Sequence, residues 1–249
     1  MRILAVHGFL GRGKDWDYFK KSLSGVANFE TVELEKDFKA LDPRSLDAFS
    51  SWVGLLKKRI EAPVLLLGYS LGARLASHLL VAHPELFLGA ILISGHPGLE
   101  SEAVSERSAR EAADEKWASR FEDMKGESWE QLLLDWNQQP VLRGLEGAPV
   151  RLESDHDRQT LAMQLRRWSL SKQRNLSSEL AEIRLPLLWI AGENDLKFAA
   201  IAAKMRGVLG RRAFAEVWIA PVAGHRVPWD QSEACSVRIQ NWIGSQIFS

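Results

Sequence analysis

Short, largely apolar runs punctuate this chain at Ile3–Val6, Thr31–Leu34, Val64–Leu67, Ala90–Ile93, Leu187–Ala191 and Ala215–Ile219. Runs this short and this apolar predict strands buried on both faces, as in a parallel sheet. Between them the period lengthens. In Ser45–Ile60 the residues Phe49, Trp52, Val53, Leu56 and Ile60 share one helical face, and Ser70–Ala82 and Phe198–Leu209 read the same way. Strands alternating with helices predict an α/β fold, with a mostly parallel sheet, helices on both faces and right-handed crossovers.

The alternation stops between Leu99 and Ala181. That stretch is charged and helix-like and holds four of the ten tryptophans, Trp117, Trp129, Trp136 and Trp168. Its length favours a helical cap (99–181) inserted between two sheet-forming parts, 1–98 and 182–249, over a pair of long crossover helices. A chain of 249 residues suits one structural domain carrying such a cap.

Composition narrows the function. The 32 basic residues balance 32 acidic ones, so nothing points to nucleic acid or a membrane surface, and charge-based recognition must be local. The lone cysteine, Cys235, excludes an internal disulfide framework and multi-cysteine zinc sites. The first residues run straight into a strand, and no apolar stretch is long enough to span a bilayer. A cytoplasmic protein is the expectation.

The densest chemistry lies at Gly68-Tyr69-Ser70-Leu71-Gly72, a G-x-S-x-G turn between the run Val64–Leu67 and a helical stretch. In that context it is the nucleophile elbow of the α/β-hydrolase fold. Its glycines let neighbouring backbone approach, and its serine is lifted above the sheet edge at a helix N-terminus. A serine hydroxyl needs a base, and the base needs an orienting carboxylate. In this fold the acid and then the histidine follow the serine, on loops after later strands. Asp195 lies just past Leu187–Ala191, with Glu193 as its rival; His225 lies just past Ala215–Ile219, with His96 as its rival. The oxyanion donors fall to the backbone N–H groups of Leu71 and Phe9. Gly8 to Lys14 also matches most of a phosphate-binding loop, but Asp15 stands where a Ser or Thr would hold magnesium. Asp15 is better placed as the N-cap of a helix over Trp16–Leu23.

With these residues assembled, the chain resembles the menaquinone-pathway 2-succinyl-6-hydroxy-2,4-cyclohexadiene-1-carboxylate synthases. The likeness rests on His7-Gly8-Phe9-Leu10-Gly11 with Asp15-Trp16, on Gly68 to Arg74, and on Ser94-Gly95-His96-Pro97-Gly98-Leu99. It continues through Arg110, Asp114 and Trp117, Asp135-Trp136-Asn137-Gln138-Gln139-Pro140, Gly192 to Phe198, and Ala223-Gly224-His225. The resemblance implies a lyase that removes pyruvate by proton abstraction, without metal or organic cofactor. Ser70, activated by His225, would take the proton, Asp195 would orient His225, and the oxyanion hole would hold the dienolate. The substrate is a small molecule with several carboxylates. For these the resemblance implies Arg74, one helical turn after Ser70, with Arg110 and Trp136 from the cap and Tyr69 and Lys197 near the triad. Plainer roles compete: a helix-surface charge for Arg74, a solvated residue for Arg110, core packing for Trp136. Two positions depart from the family. Glu153 stands where a further cap arginine is usual, with Arg151 or Arg158 as substitutes, and Asn137 replaces a tyrosine. The cap as a whole is not cationic, with 12 Lys and Arg against 16 Asp and Glu. The competing function is a carboxylesterase or C–C-bond hydrolase in which Ser70 is acylated; a non-catalytic binding protein on the same scaffold is the third.

Overall fold

The computed structural model describes residues 1–123, 126–142, 149–210 and 214–248. Six parallel strands form one sheet: β1 (Arg2–Val6), β2 (Asn28–Val32), β3 (Val64–Tyr69), β4 (Phe87–Ile93), β5 (Leu187–Gly192) and β6 (Ala215–Ala220). Their order is β2-β1-β3-β4-β5-β6. All six residues of β3 and of β5 are buried, as their unbroken apolar runs require of central strands. The edge strand β2 alternates exposed and half-buried positions before Val32. It also departs from the expected Thr31–Leu34. An edge strand covered on one face carries an alternating pattern, so the apolar-run cue lands on its end. Leu34 instead opens a helix, its N–H donated to Nε2 of His7 at 3.2 Å.

The helices are α1 (Asp17–Ser22), α2 (Leu34–Lys39), α3 (Ala48–Leu56), α4 (Leu71–Ala82), α5 (Val104–Glu122), α6 (Trp129–Asn137), α7 (Arg158–Arg167), α8 (Ser177–Glu182), α9 (Leu196–Leu209), α10 (Val227–Asp230) and α11 (Ser232–Gln246). α3 keeps the predicted face, burying Phe49, Trp52, Val53 and Leu56, and is capped by the Asp47 carboxylate on the Ser50 N–H at 3.0 Å. Each such side chain contributes roughly 1.5–3 kcal/mol of apolar transfer. One sheet face packs on α3, α4 and α9 through Trp52, Leu75, Leu79 and Met205. The other packs on α1 and α11 through Phe19, Ile239 and Trp242. No helix among the described residues is long and apolar enough to cross a membrane.

Between β4 and β5 the described residues form helices and no strand. They build a small apolar core of their own from Ala118, Phe121, Trp129, Leu132, Leu161, Ala162 and Leu165, which also takes in Leu10 from the loop after β1. Polar struts tie this cap to the body. Arg151 grips Asp15 with both terminal nitrogens, at 2.6 and 2.7 Å. Glu35 accepts from the Asp157 N–H at 2.9 Å and contacts His156 Nδ1 at 2.5 Å. The Trp168 indole donates to the Ala48 carbonyl at 3.1 Å.

Asp15 is not the helix N-cap that its position suggested. It is the third residue of a 3₁₀ turn over Gly13–Trp16, where its carboxylate accepts the Arg12 N–H at 3.2 Å and holds Arg151. Lys14, the other half of the phosphate-loop likeness, pairs with Asp155 at 2.8 Å.

One buried base gives the core a pH signature. His78 stacks on Phe49 at 4.5 Å, its Nε2 has no hydrogen-bond partner, and burial above all pushes its pKa down to about 3. Its folded pKa thus lies below the unfolded value, so the unfolded chain takes up the proton first as pH falls. Stability is fully present above about pH 6.5 and declines toward pH 3. His78→Leu should therefore lose about 1 kcal/mol less than the parent between pH 6.5 and 5.5, measured by urea unfolding. Superimposed pH profiles would contradict it.

Candidate active site

Ser70 sits between β3 and α4 with φ 53° and ψ −114°, a backbone state that an L-residue adopts only under constraint. The constraint is close packing. A Cβ on Gly72 would lie 2.2 Å from the Val6 carbonyl oxygen, and one on Gly68 would lie 2.7 Å from the Ala73 Cα. The Ser70 N–H is held by the Ile93 carbonyl at 2.9 Å. The turn aims the hydroxyl at the loops after β5 and β6.

Those loops deliver the expected partners. Ser70 Oγ lies 2.9 Å from His225 Nε2, and His225 Nδ1 lies 2.7 Å from Asp195 Oδ2. Both partners are buried, at 5% and 6% exposure, which strengthens their interaction by excluding water. Asp195 also caps α9, its Oδ1 accepting the Phe198 N–H at 3.2 Å. One carboxylate thus faces the histidine and anchors a helix. The His225 ring is wedged against Phe198 at 4.4 Å, and Ser94 Oγ donates to the His225 carbonyl at 2.8 Å.

The rivals fall away on geometry. Glu193 accepts the Val222 N–H at 3.0 Å. His96 accepts the Gly98 N–H on Nδ1 at 3.0 Å, and burial with nearby Arg74 lowers its pKa to about 3. It lines the same cavity as a neutral ring.

Phe9 and Leu71, the expected oxyanion donors, both line that cavity. Leu71 is the first residue of α4, so its N–H has no acceptor within the helix. The Phe9 ring packs 4.9 Å from Trp136 and 5.5 Å from Phe121, which pins the loop after β1 to the cap.

The cavity over Ser70 measures about 220 Å³. Arg74, Arg110, Trp136, Tyr69 and Lys197 all line it, together with Arg151 and Arg226. Among the described lining residues the only carboxylate is Asp114. Arg74 is no surface charge. It is 9% exposed, donates to Gln173 at 2.5 Å and to the Trp168 carbonyl at 2.7 Å, and burial weakens its hold on its proton. Arg110 donates to Asp114 at 2.8 Å. Trp136 meets Trp117 edge to face and Phe9 at a tilt, so it packs and lines at once.

The expected substitutes at the Glu153 position separate. Arg158 is buried under Trp129, 3.6 Å from Glu153 itself, and does not line the cavity. Arg151 does, but Asp15 holds its fork. Three residues have contacts that the sequence did not assign: Ser94, which braces His225; Asp230, which accepts the Gly224 N–H at 2.8 Å; and Arg226. Arg226 adjoins His225 in sequence, a visible signal.

A model of the family described as "Alpha/beta hydrolase family" matches residues 3–236. The 2-succinyl-6-hydroxy-2,4-cyclohexadiene-1-carboxylate synthase of Citrobacter koseri is 32% identical over 211 residues, covering 82% of this chain and 81% of its own. The chain belongs to the α/β-hydrolase family, among these synthases. The synthase of Escherichia coli O1:K1 / APEC is 30% identical over 231 residues, covering 90% of this chain and 86% of its own. Membership makes this protein an enzyme, a lyase of menaquinone biosynthesis. Among solved structures, MenH from S. aureus superposes with a TM-score of 0.81 at 22% identity, covering 98% of this chain and 93% of its own. NosK from Streptomyces actuosus gives 0.68 at 19%, covering 98% of each. At such identities these two speak for the fold alone.

Proposed function

We propose that this enzyme eliminates pyruvate from 2-succinyl-5-enolpyruvyl-6-hydroxy-3-cyclohexene-1-carboxylate. The observation that carries the reading is the cavity itself, in which five cationic side chains and one carboxylate surround a serine bonded to a histidine. An esterase that acylates Ser70 has no use for that surplus of cations; a substrate whose succinyl, ring and enolpyruvyl parts each carry a carboxylate does.

In the reaction, Ser70 Oγ gives its proton to His225 Nε2 and takes the ring proton beside the succinyl ketone. The electron pair becomes a dienolate, whose oxygen the N–H groups of Phe9 and Leu71 stabilise. Collapse of the dienolate through the ring double bond breaks the bond to the enolpyruvyl oxygen. The departing enolate takes up a proton and leaves as pyruvate. Asp195 holds His225 in the tautomer that accepts at Nε2 and offsets the charge of the imidazolium. The stretch 99–181 acts as the cap that roofs this chemistry.

Purified protein supplied with the enolpyruvyl substrate should release pyruvate, followed by coupled reduction with lactate dehydrogenase. Efficient cleavage of simple carboxylic esters with no pyruvate would overturn the reading in favour of the acylated serine.

A further inference from the structure

The cations around the cavity differ in how far the protein already satisfies them. Arg110 is paired with Asp114 and Arg151 with Asp15. Arg226, the residue directly after His225, is half-buried and lines the same space. Its one hydrogen bond among the described residues is donated by Nη2 to the neutral Oδ1 of Asn137, on the cap helix α6. It has no ion pair with any described carboxylate. The nearby Asp230 attracts it but makes no ion pair with it and accepts the Gly224 N–H instead, and Arg151 adds a like charge. A half-buried guanidinium with no ion pair, and with a neighbouring carboxylate already engaged elsewhere, gains from an arriving anion. Two of its nitrogens, Nε and Nη1, are left for that anion, and a guanidinium fork suits a carboxylate.

The cations also fall into two groups. Arg110 adds to the cost of burying Arg74, and Arg151 adds to the cost of burying Arg226. A substrate with carboxylates at separate positions meets one at each.

We propose that Arg226 binds a carboxylate of the substrate beside the Ser70–His225 pair, aimed from the cap by Asn137. The assignment rests on the function proposed above, since the carboxylate is that substrate's. It makes Arg226 a binding residue and Asn137 a positioning residue. Because the two come from body and cap, the carboxylate site forms only where the two parts meet.

Steady-state pyruvate release tests it. Arg226→Gln should raise KM by on the order of tenfold or more, with kcat within about threefold, as expected for an interaction made equally in ground and transition states. Arg226→Lys should recover part of the loss, because it restores the charge without the fork. A KM within about twofold of the parent, or a fall confined to kcat, would overturn the proposal. Should Arg226→Gln fold poorly, Asn137→Ala leaves the guanidinium and removes its orienting acceptor; a severalfold rise in KM is then expected, and an unchanged KM overturns the idea. Should the parent release no pyruvate, the functional reading has failed on its own. Succinate binding, followed by the fluorescence of Trp136 and Trp229, then decides: loss in Arg226→Gln supports a carboxylate site, and equal binding removes it.

Discussion

Replacing Ser70 with alanine is expected to lower pyruvate release by about 10³-fold or more, roughly 4 kcal/mol of transition-state stabilisation. The hydroxyl contacts His225 Nε2 at 2.9 Å, and in the proposed reaction it carries the ring proton away. Deleting it removes an interaction that operates only as the proton moves, so kcat and kcat/KM should fall together with KM little changed. The fold should hardly notice. Alanine retains a Cβ at φ 53°, so the strain of the elbow stays as it is. Glycine at the same position gives a second, opposite reading. Ser70→Gly should be equally inactive yet more stable by about 1 kcal/mol, because only the side chain makes that backbone costly. Thermal melts and pyruvate assays of the two variants separate chemistry from strain. An alanine variant within tenfold of the parent would mean that His225 takes the proton directly.

How legible all this was in the sequence depended on what each residue answers to. β3 and β5 could be read directly because a central strand is apolar on both faces, whereas β2, at the edge, was misplaced because only part of it is covered. The elbow was legible because the close approach of Val6 and Ala73 demands glycine at fixed spacing from the serine. The choice of Asp195 over Glu193 was not fixed by spacing alone. Both follow β5, and the difference is that Asp195 caps α9 while Glu193 turns back to Val222. Asp15 was misread for a related reason. Its local offset suits a cap, but its partner Arg151 is 136 positions away. Pairs separated this widely leave no local trace, and the Asn137–Arg226 pair is the same case.

The aromatic contacts explain why a cap without net positive charge can still shape the cavity over Ser70. Phe9 belongs to the loop after β1 that lines the cavity, and its ring is inserted among Phe121 and Trp136 of the cap. Cap packing therefore sets the position of that loop. The same helix that carries Trp136 ends in Asn137, beside Arg226. Placement of a few side chains, rather than bulk charge, gives the cavity its polarity.

Asp195→Asn should cost about 10³- to 10⁴-fold in kcat while leaving the protein folded. In the parent, Oδ1 accepts the Phe198 N–H and Oδ2 accepts from His225 Nδ1. Asparagine can keep its oxygen on Phe198, which preserves the cap of α9, but then its amide nitrogen faces His225. Two donors cannot share that contact, so the imidazole shifts its proton to Nε2. It then donates to Ser70 instead of accepting from it, and the base is lost. The other amide orientation sets its nitrogen against the Phe198 N–H, donor against donor, and in either orientation the neutral amide no longer offsets the charge of the imidazolium. The expected signature is a melting temperature within a few degrees of the parent beside a near-complete loss of pyruvate release. Glu193→Gln serves as the contrast. It changes a neighbouring carboxylate that contacts only the Val222 N–H, and activity should stay within about twofold of the parent. Reversal of that order, with Glu193→Gln inactive and Asp195→Asn active, would reassign the acid to the other end of the same loop.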